Sequence, residues 1–117
     1  MWRNRRYSEI GNFNIPSAAI RGEGTIRHYL PQEFPAILAS SVNLFCIGPL
    51  RDKKMMPRCS IVYTTDRRLW KSDDEFVDYL RRQRILAIEM ELATLFSVAY
   101  RYEVPIGSIT LVSDMSL

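Results

Sequence analysis

The sequence predicts an α/β fold in which helices flank a mostly parallel or mixed sheet. Residues 59–65, CSIVYTT, are rich in β-branched and aromatic side chains, which is typical of a strand. Apolar residues recur at helical spacing over residues 92–100, and apolar segments precede and follow that helix. A strand, a helix and a strand joined by short connections form a βαβ unit, and its two strands are parallel.

The size and charge of the chain limit what it can be. It has 117 residues, 47% of them hydrophobic and 25% charged, so residues 1–117 are expected to form a single domain with one core. The net charge is +3, and the basic residues are interleaved with acidic ones, which argues against a general nucleic-acid surface. The densest basic patch, residues 2–7, is either a solvated terminus or an anion-binding arm.

The sequence gives no sign of a membrane segment or of an oxidising compartment. No apolar run has transmembrane length, and the charged start lacks the apolar centre of a signal peptide. Cys46 and Cys59 match no metal-ligand spacing, and two thiols do not make a disulfide framework. We therefore expect a cytoplasmic protein with free cysteines, no membrane partner and no bound metal.

The first half of the chain predicts a strand, a loop and an ambiguous apolar segment. Residues 12–21 alternate as in a strand and run into a loop that contains Gly22 and Gly24. Residues 28–37 contain two prolines and predict an extended loop. Residues 36–47 fit either a helix or a buried strand, and Gly48-Pro49 is expected to end the segment in both cases.

The second half predicts two further helices and two further strands. Ser72 to Glu75 read as a capping box, with Ser72 as the N-cap and Glu75 reaching back to it. Residues 85–89 predict a short buried strand, and residues 108–114 predict another after a break at residues 105–107. The βαβ rule makes these two strands parallel neighbours with a right-handed crossover.

Carboxylates end both of these strands. Glu89 and Glu91 follow the first strand, and Asp114 ends the second, so all three are expected at one carboxyl edge, with Asp114 beside Glu91. Such a group can transfer protons, hold a metal or bind sugar hydroxyls; a metal is least supported, because no His or Cys is near in sequence. The alternatives are structural: Glu91 stabilises the amino end of a helix by its charge, and Asp114 caps the segment after it.

Four segments carry a resemblance to a known family. AIEMELATLF (87–96) followed by YRYEVPIGSITLVSD (100–114) resembles the nucleoside phosphorylase and nucleosidase superfamily, most closely the AMP nucleosidases. In that family a Met-Glu pair precedes a helix, and Ser-Asp ends the next strand. IVYTTDRRLW (61–70) and AAIRGEGTIRHYLPQEFPAI (18–37) resemble family segments in the same order, so the similarity covers most of residues 10–117.

The resemblance implies an N-glycosidase that hydrolyses AMP to adenine and ribose 5-phosphate without a cofactor. Glu91 would bind the ribose hydroxyls, Met90 would pack on the sugar, and Asp114 would protonate N7 of the purine. Arg68 or Trp70 would stack on the base, with core packing as the alternative for Trp70. The resemblance also implies that Thr64, Thr65 and Asp66 line the base pocket, that Glu89 has a more supporting role in substrate binding, and that Arg21 lies near the substrate. For the loop after Arg21, the alternative is a tight turn whose glycines have positive φ.

The chain also departs from the family pattern. Glu89 stands where the family usually has Asp, and Leu92 stands where AMP nucleosidases have a small Ser or Thr, so Leu92 either narrows the pocket or faces the core. Residues 1–20 do not resemble the family's phosphate-binding loop and first strands, and its final helix has no counterpart after Asp114. We therefore expect a partial nucleoside-phosphorylase-like fold, from the carboxyl-proximal part of such a protein.

Two other functions remain open. One is a nucleoside phosphorylase, in which phosphate replaces water as the nucleophile. The other is a truncated, inactive chain that binds nucleotides or associates with itself. The expected partners are a small nucleotide or nucleoside and further copies of the chain, with no nucleic acid.

Overall fold

The computed structural model describes residues 10–114, so the basic patch at residues 2–7 lies outside the described residues. The strands within this range form one mixed sheet: β1 (Phe13–Gly22), β2 (Ala36–Ile37), β3 (Arg58–Thr65), β4 (Ala87–Glu89) and β5 (Thr110–Leu111). The α-helices of the same range are α1 (Ser40–Asp52), α2 (Asp74–Arg82) and α3 (Leu92–Arg101). The predicted α/β class, with helices beside a mixed sheet, is confirmed.

β1 is the strand that connects the parallel and antiparallel parts of the sheet. The order is β2-β1-β3-β4, and β1, β3 and β4 are parallel. β3 occupies one side of β1 along its length, with a bulge between Pro16 and Ala18. β2 pairs antiparallel with the carboxyl half of β1 and β5 pairs antiparallel with its amino end, so both lie along the other side of β1.

The expected parallel pairing of the last strand with β4 is wrong, because β5 pairs antiparallel with β1 at Phe13 and Asn14. After α3 the chain has no regular structure at residues 104–109. In this segment Ile106 packs against the core under α3, and its carbonyl accepts a hydrogen bond of 2.9 Å from the amide of Ala39. These contacts lead the chain to β1 instead of back to β4.

Two apolar clusters lie on opposite faces of the sheet. One packs α3 onto the sheet and contains Ala19, Ile26, Ala36, Val62, Leu92, Ala93 and Phe96. The other packs under α2 and contains Tyr63, Trp70, Val77, Leu80 and Ile85. Side chains alternate between the faces of a strand, so Val62 and Thr64 of β3 face α3, whereas Tyr63 faces α2.

The predicted end of the first helix at Gly48-Pro49 is wrong. α1 continues to Asp52 with Pro49 inside it. A proline inside a helix removes one amide donor. Here the buried side chain of Leu50 anchors the last turn, and the carbonyl of Leu50 accepts a hydrogen bond of 2.8 Å from the amide of Met55.

The predicted N-cap of the second helix is wrong by one residue. Asp73, and not Ser72, caps α2, since its carboxylate accepts a hydrogen bond of 3.0 Å from the amide of Phe76. The Ser72 hydroxyl instead donates to the carbonyl of Leu69 across the 3₁₀ turn Trp70–Ser72. A carboxylate at this position also interacts favourably with the positive end of the helix dipole.

The helices over residues 10–114 are all too short or too polar to cross a membrane. Cys46 and Cys59 are free, as the sequence predicts.

Candidate active site

The ends of β3 and β4 bring the predicted ribose-side and base-side residues to one edge of the sheet. Thr64 of β3 pairs with Glu89 of β4. Thr65 and Asp66 follow Thr64, while Met90 and Glu91 follow Glu89. We call this edge, where the parallel strands β1, β3 and β4 end, the carboxyl edge; it is where ligands bind in open α/β sheets.

The carboxylate of Glu89 joins β4 to the start of α3. Its Oε2 atom accepts hydrogen bonds from the amides of Glu91 at 2.7 Å and Leu92 at 2.6 Å. Its Oε1 atom accepts a hydrogen bond from the Thr64 hydroxyl, and Thr64 Oγ1 in turn accepts from the amide of Ala93 at 2.9 Å. Amides at the start of a helix have no carbonyl of the helix to bond, so these two side chains supply the missing acceptors.

The structure therefore gives the helix-stabilising role to Glu89, where the sequence considered it for Glu91. Thr64 is fully buried and Glu89 is half-buried, whereas the side chains of Met90 and Glu91 are exposed. Leu92 is buried in the cluster under α3, so its bulk faces the core and does not narrow the edge.

On the base side, the predicted residues have different surroundings. Thr65 is buried, and its hydroxyl oxygen accepts a hydrogen bond of 3.0 Å from the amide of Arg67; Asp66 and Arg68 are exposed. Trp70 packs in the cluster under α2, on the face of the sheet opposite to Thr64. This is the core packing that the sequence left open for Trp70.

Arg21 holds the loop after the first strand. It pairs with Thr64 across β1 and β3, so Arg21, Thr64 and Glu89 form a row across three neighbouring strands. Its Nη1 atom donates to the carbonyls of Pro31 at 2.6 Å and Phe34 at 2.5 Å, with Gln32 at 3.3 Å. These contacts fix residues 31–34 beside the carboxyl edge.

Gly22 is required by close packing and not by an unusual φ. A Cβ atom at Gly22 would lie 2.2 Å from Cε1 of Tyr63. The alternative of a tight turn with positive φ at Gly22 and Gly24 is wrong, since Gly11 is the glycine with positive φ within residues 10–114. Burial raises the pKa of the Tyr63 phenol above its usual value, and the nearby Tyr79 and Asp66 raise it further.

Asp114 lies apart from the network of Glu89. Its carboxylate forms an ion pair with Lys71, and both side chains are more than half exposed, at 57% and 55%. β5 pairs with the amino end of β1, whereas Glu89 lies at the carboxyl end of β4. The βαβ rule therefore does not bring Asp114 to Glu91 in this structure. Across residues 10–114, no three His, Cys, Asp or Glu side chains are grouped so that they could hold a metal ion.

Comparison with known proteins identifies the family. Residues 6–117 match the model of the phosphorylase superfamily. The chain belongs to this superfamily. It is similar to the AMP nucleosidase of Bacteroides thetaiotaomicron, whose crystal structure superposes with a TM-score of 0.86 at 39% identity over 92% of this chain and 46% of that one. The resemblance to AMP nucleosidases that the sequence carries is thereby confirmed.

The chain is similar both to a protein named as a nucleosidase and to one named as a phosphorylase. The chain is 30% identical to the AMP nucleosidase of Escherichia coli K12, over 97% of this chain and 25% of that protein. It is 30% identical to the guanosine phosphorylase of Halorubrum lacusprofundi, over 89% of this chain and 43% of that protein. The chain thus spans less than half of the relatives it matches.

The hydrogen bonds between Thr64, Glu89 and α3 were not predicted from the sequence. A signal for those of Glu89 was present, because Glu89 stands three residues before the first helical residue, Leu92, as an N-cap side chain does before the amide it accepts from. The resemblance implied Thr64 only for the base pocket, and its hydrogen bonds gave no such signal, since its partners lie 25 and 29 residues away in sequence.

Proposed function

We propose that the chain carries the ribose- and base-recognition part of an AMP N-glycosidase, which hydrolyses AMP to adenine and ribose 5-phosphate. The observation that supports this most is the pair of exposed side chains of Met90 and Glu91 at the carboxyl edge, in a chain similar to an AMP nucleosidase of known structure. In this proposal residues 1–117 act as one partial domain that binds a small nucleotide.

In the proposed reaction, Glu91 accepts hydrogen bonds from the ribose hydroxyls and Met90 packs on the sugar. The bond between ribose and adenine breaks as positive charge develops on the ribose, and the nearby Glu91 carboxylate stabilises that charge. A water molecule adds to C1′ of the ribose and loses a proton, which gives ribose 5-phosphate. Thr65, Asp66 and Arg68 line the base side. Arg21 and Trp70 support the site from within the protein. Arg21 holds the loop at residues 31–34, and Trp70 packs beneath the sheet.

Asp114 is the proposed general acid, which gives its proton to N7 of adenine so that the base leaves uncharged. A general acid must carry a proton, whereas the ion pair with Lys71 is made by the ionised carboxylate. The role of Asp114 therefore requires that the ion pair breaks and that Asp114 moves to the base when substrate binds.

Adenine release from AMP by the purified full chain tests the proposal. We expect Glu91→Gln and Asp114→Asn each to lower kcat/KM by about a hundredfold, which is the usual effect of losing a charge-stabilising or proton-transferring group. Glu75→Gln is the matched control, because Glu75 is an exposed carboxylate in the first turn of α2. Adenine release that is equal in all three variants would contradict the assignment of the site.

A phosphorylase is the second candidate, supported by the similarity to guanosine phosphorylase. In that reaction phosphate attacks the ribose and the product is ribose 1-phosphate. Release of guanine from guanosine that occurs with inorganic phosphate and ceases without it would favour this function over hydrolysis.

Self-association is the third candidate, supported by exposed apolar side chains on α1. Leu44 is 70% exposed and Phe45 is 78% exposed, which is unusual for neighbouring large apolar residues. Light scattering with size-exclusion chromatography distinguishes a monomer from a homo-oligomer. AMP binding without turnover would favour an inactive nucleotide-binding chain, and a homo-oligomer that neither binds nor hydrolyses AMP would favour a purely self-associating one.

A further inference from the structure

We propose that Glu89 and Thr64 are positioning residues for this site: their hydrogen bonds fix the turn that carries Met90 and Glu91, and Glu89 does not itself bind ribose. The part that concerns ribose depends on the function proposed for Glu91. The part that concerns the turn depends on the described contacts alone.

The Glu89 carboxylate is already engaged in hydrogen bonds within the protein. It accepts from the amides of Glu91 and Leu92 and from the Thr64 hydroxyl. A carboxylate has about four acceptor sites, so three of them are in use within the protein. Glu89 would have to give up one of these bonds to accept two neighbouring ribose hydroxyls.

The hydrogen bonds of Glu89 fix the backbone of the turn that carries Met90 and Glu91. Leu92 is buried in the core, and its amide is bonded to Glu89. The amide of Glu91, one residue earlier, donates to the same Oε2 atom of Glu89. The backbone on both sides of the Glu91 Cα is therefore held, while its side chain remains exposed at the carboxyl edge.

Thr64 connects this turn to another strand. Its hydroxyl donates to Glu89 and accepts from Ala93, so one buried side chain of β3 bonds both to the end of β4 and to the first turn of α3. A shift of about 1 Å in a group that contacts the reacting sugar costs about a hundredfold in rate. Loosening the turn should therefore weaken recognition of the ribose hydroxyls without removing any group that contacts the substrate.

Hydrogen exchange of the amides of Glu91, Leu92 and Ala93, measured by NMR, tests the network without any assumption about function. Thr64→Val keeps the shape of the side chain and removes the hydroxyl, so we expect the Ala93 amide to exchange at least about tenfold faster. Thr64→Ser should restore the slow exchange. Thr94→Val is the matched control, because Thr94 lies in the first turn of α3 and takes no part in these hydrogen bonds. An Ala93 amide that exchanges equally in Thr64→Val and in the unaltered chain would overturn the proposal.

Couplings through hydrogen bonds keep the proposal testable if Thr64→Val does not fold. In the unaltered chain, labelled with ¹³C and ¹⁵N, we expect scalar couplings between the Glu91 and Leu92 amide nitrogens and Cδ of Glu89. Their absence, in spectra that show couplings in the helices, would overturn the network.

The preference for AMP over 2′-deoxyAMP tests the positioning of Glu91. We expect the ratio of the two affinities, or of the two kcat/KM values, to fall about tenfold in Thr64→Val and to recover in Thr64→Ser, since one hydroxyl contact is lost or regained. An unchanged ratio together with fast amide exchange would show a purely structural network and would overturn the positioning role. If the unaltered chain binds neither nucleotide, the function proposed for Glu91 fails, and the positioning role fails with it. The exchange data then still decide whether the network exists.

Discussion

The two strands that flank α3 are held very differently. β4 ends in Glu89, which bonds to Thr64 and to two amides of the next helix, and α3 behind it buries Leu92, Ala93 and Phe96. β5 is two residues long, pairs with the amino end of β1, and leaves Leu111 56% exposed. The first region combines packing and hydrogen bonds, whereas the second depends mainly on strand pairing.

This difference shows what determines the place of a strand in a sheet. The local pattern of apolar residues predicts both strands equally well. The neighbour of each strand is decided by contacts distant in sequence, such as the bonds from Thr64 for β4 and the packing of Ile106 before β5.

Removing the largest packing contact of α3 should break the stronger region. Phe96 is fully buried, so Phe96→Ala should lower the free energy of unfolding by about 3–5 kcal/mol. Leu111→Ala, in the exposed strand β5, should lower it by less than about 1 kcal/mol. Urea unfolding followed by circular dichroism measures both, and equal losses would show that β5 is packed as firmly as α3.

At the end of β1, hydrogen bonds from Arg21 hold the loop at residues 31–34. Arg21→Met keeps the aliphatic stem and removes the hydrogen bonds to the carbonyls at residues 31–34, so we expect a loss of about 1–3 kcal/mol in the free energy of unfolding. Amides in this loop should also exchange faster. Arg27→Met is the control, because Arg27 is exposed in the neighbouring 3₁₀ turn; the same loss in both variants would mean that Arg21 does not hold the loop.

Local pattern was enough to predict several parts of this fold. β1, β3 and α3 lie within a residue or so of the predicted limits, because alternation and helical spacing are read within one segment. The carboxyl edge was predicted from β4 and the last strand, whereas in the structure the parallel strands β1, β3 and β4 end there together.

The failures arose where a tertiary contact overrides a local rule. Buried Leu50 carries α1 past Gly48-Pro49, and the packing of Ile106 leads β5 to β1. In the candidate site, the bonds of Thr64 span more than 20 residues, so neither spacing nor composition indicates them.

Removing the N-cap of α2 should have a smaller effect on stability, and it distinguishes the predicted cap, Ser72, from the observed one, Asp73. Asp73→Ala removes the side chain that accepts from Phe76, so it should lower the free energy of unfolding by about 1 kcal/mol. Ser72→Ala should cost less, because the Ser72 hydroxyl bonds within an exposed 3₁₀ turn. Thermal unfolding of the two variants decides between the caps, and a larger loss for Ser72→Ala would favour the capping box.

Removing the ion pair of Asp114 should cause the smallest change in stability, and it tests the region around β5. Exposed ion pairs contribute between zero and about 1 kcal/mol, and Lys71 and Asp114 are both more than half exposed, so Lys71→Met should change the free energy of unfolding by less than about 1 kcal/mol. If Asp114 must leave Lys71 to protonate the base, the same variant should release adenine from AMP at least as fast as the unaltered chain. Lys53→Met serves as the control for the loss of one surface cation, since Lys53 lies in the exposed turn after α1. A fall in kcat in Lys71→Met but not in Lys53→Met would instead indicate that the intact Lys71–Asp114 ion pair takes part in the reaction.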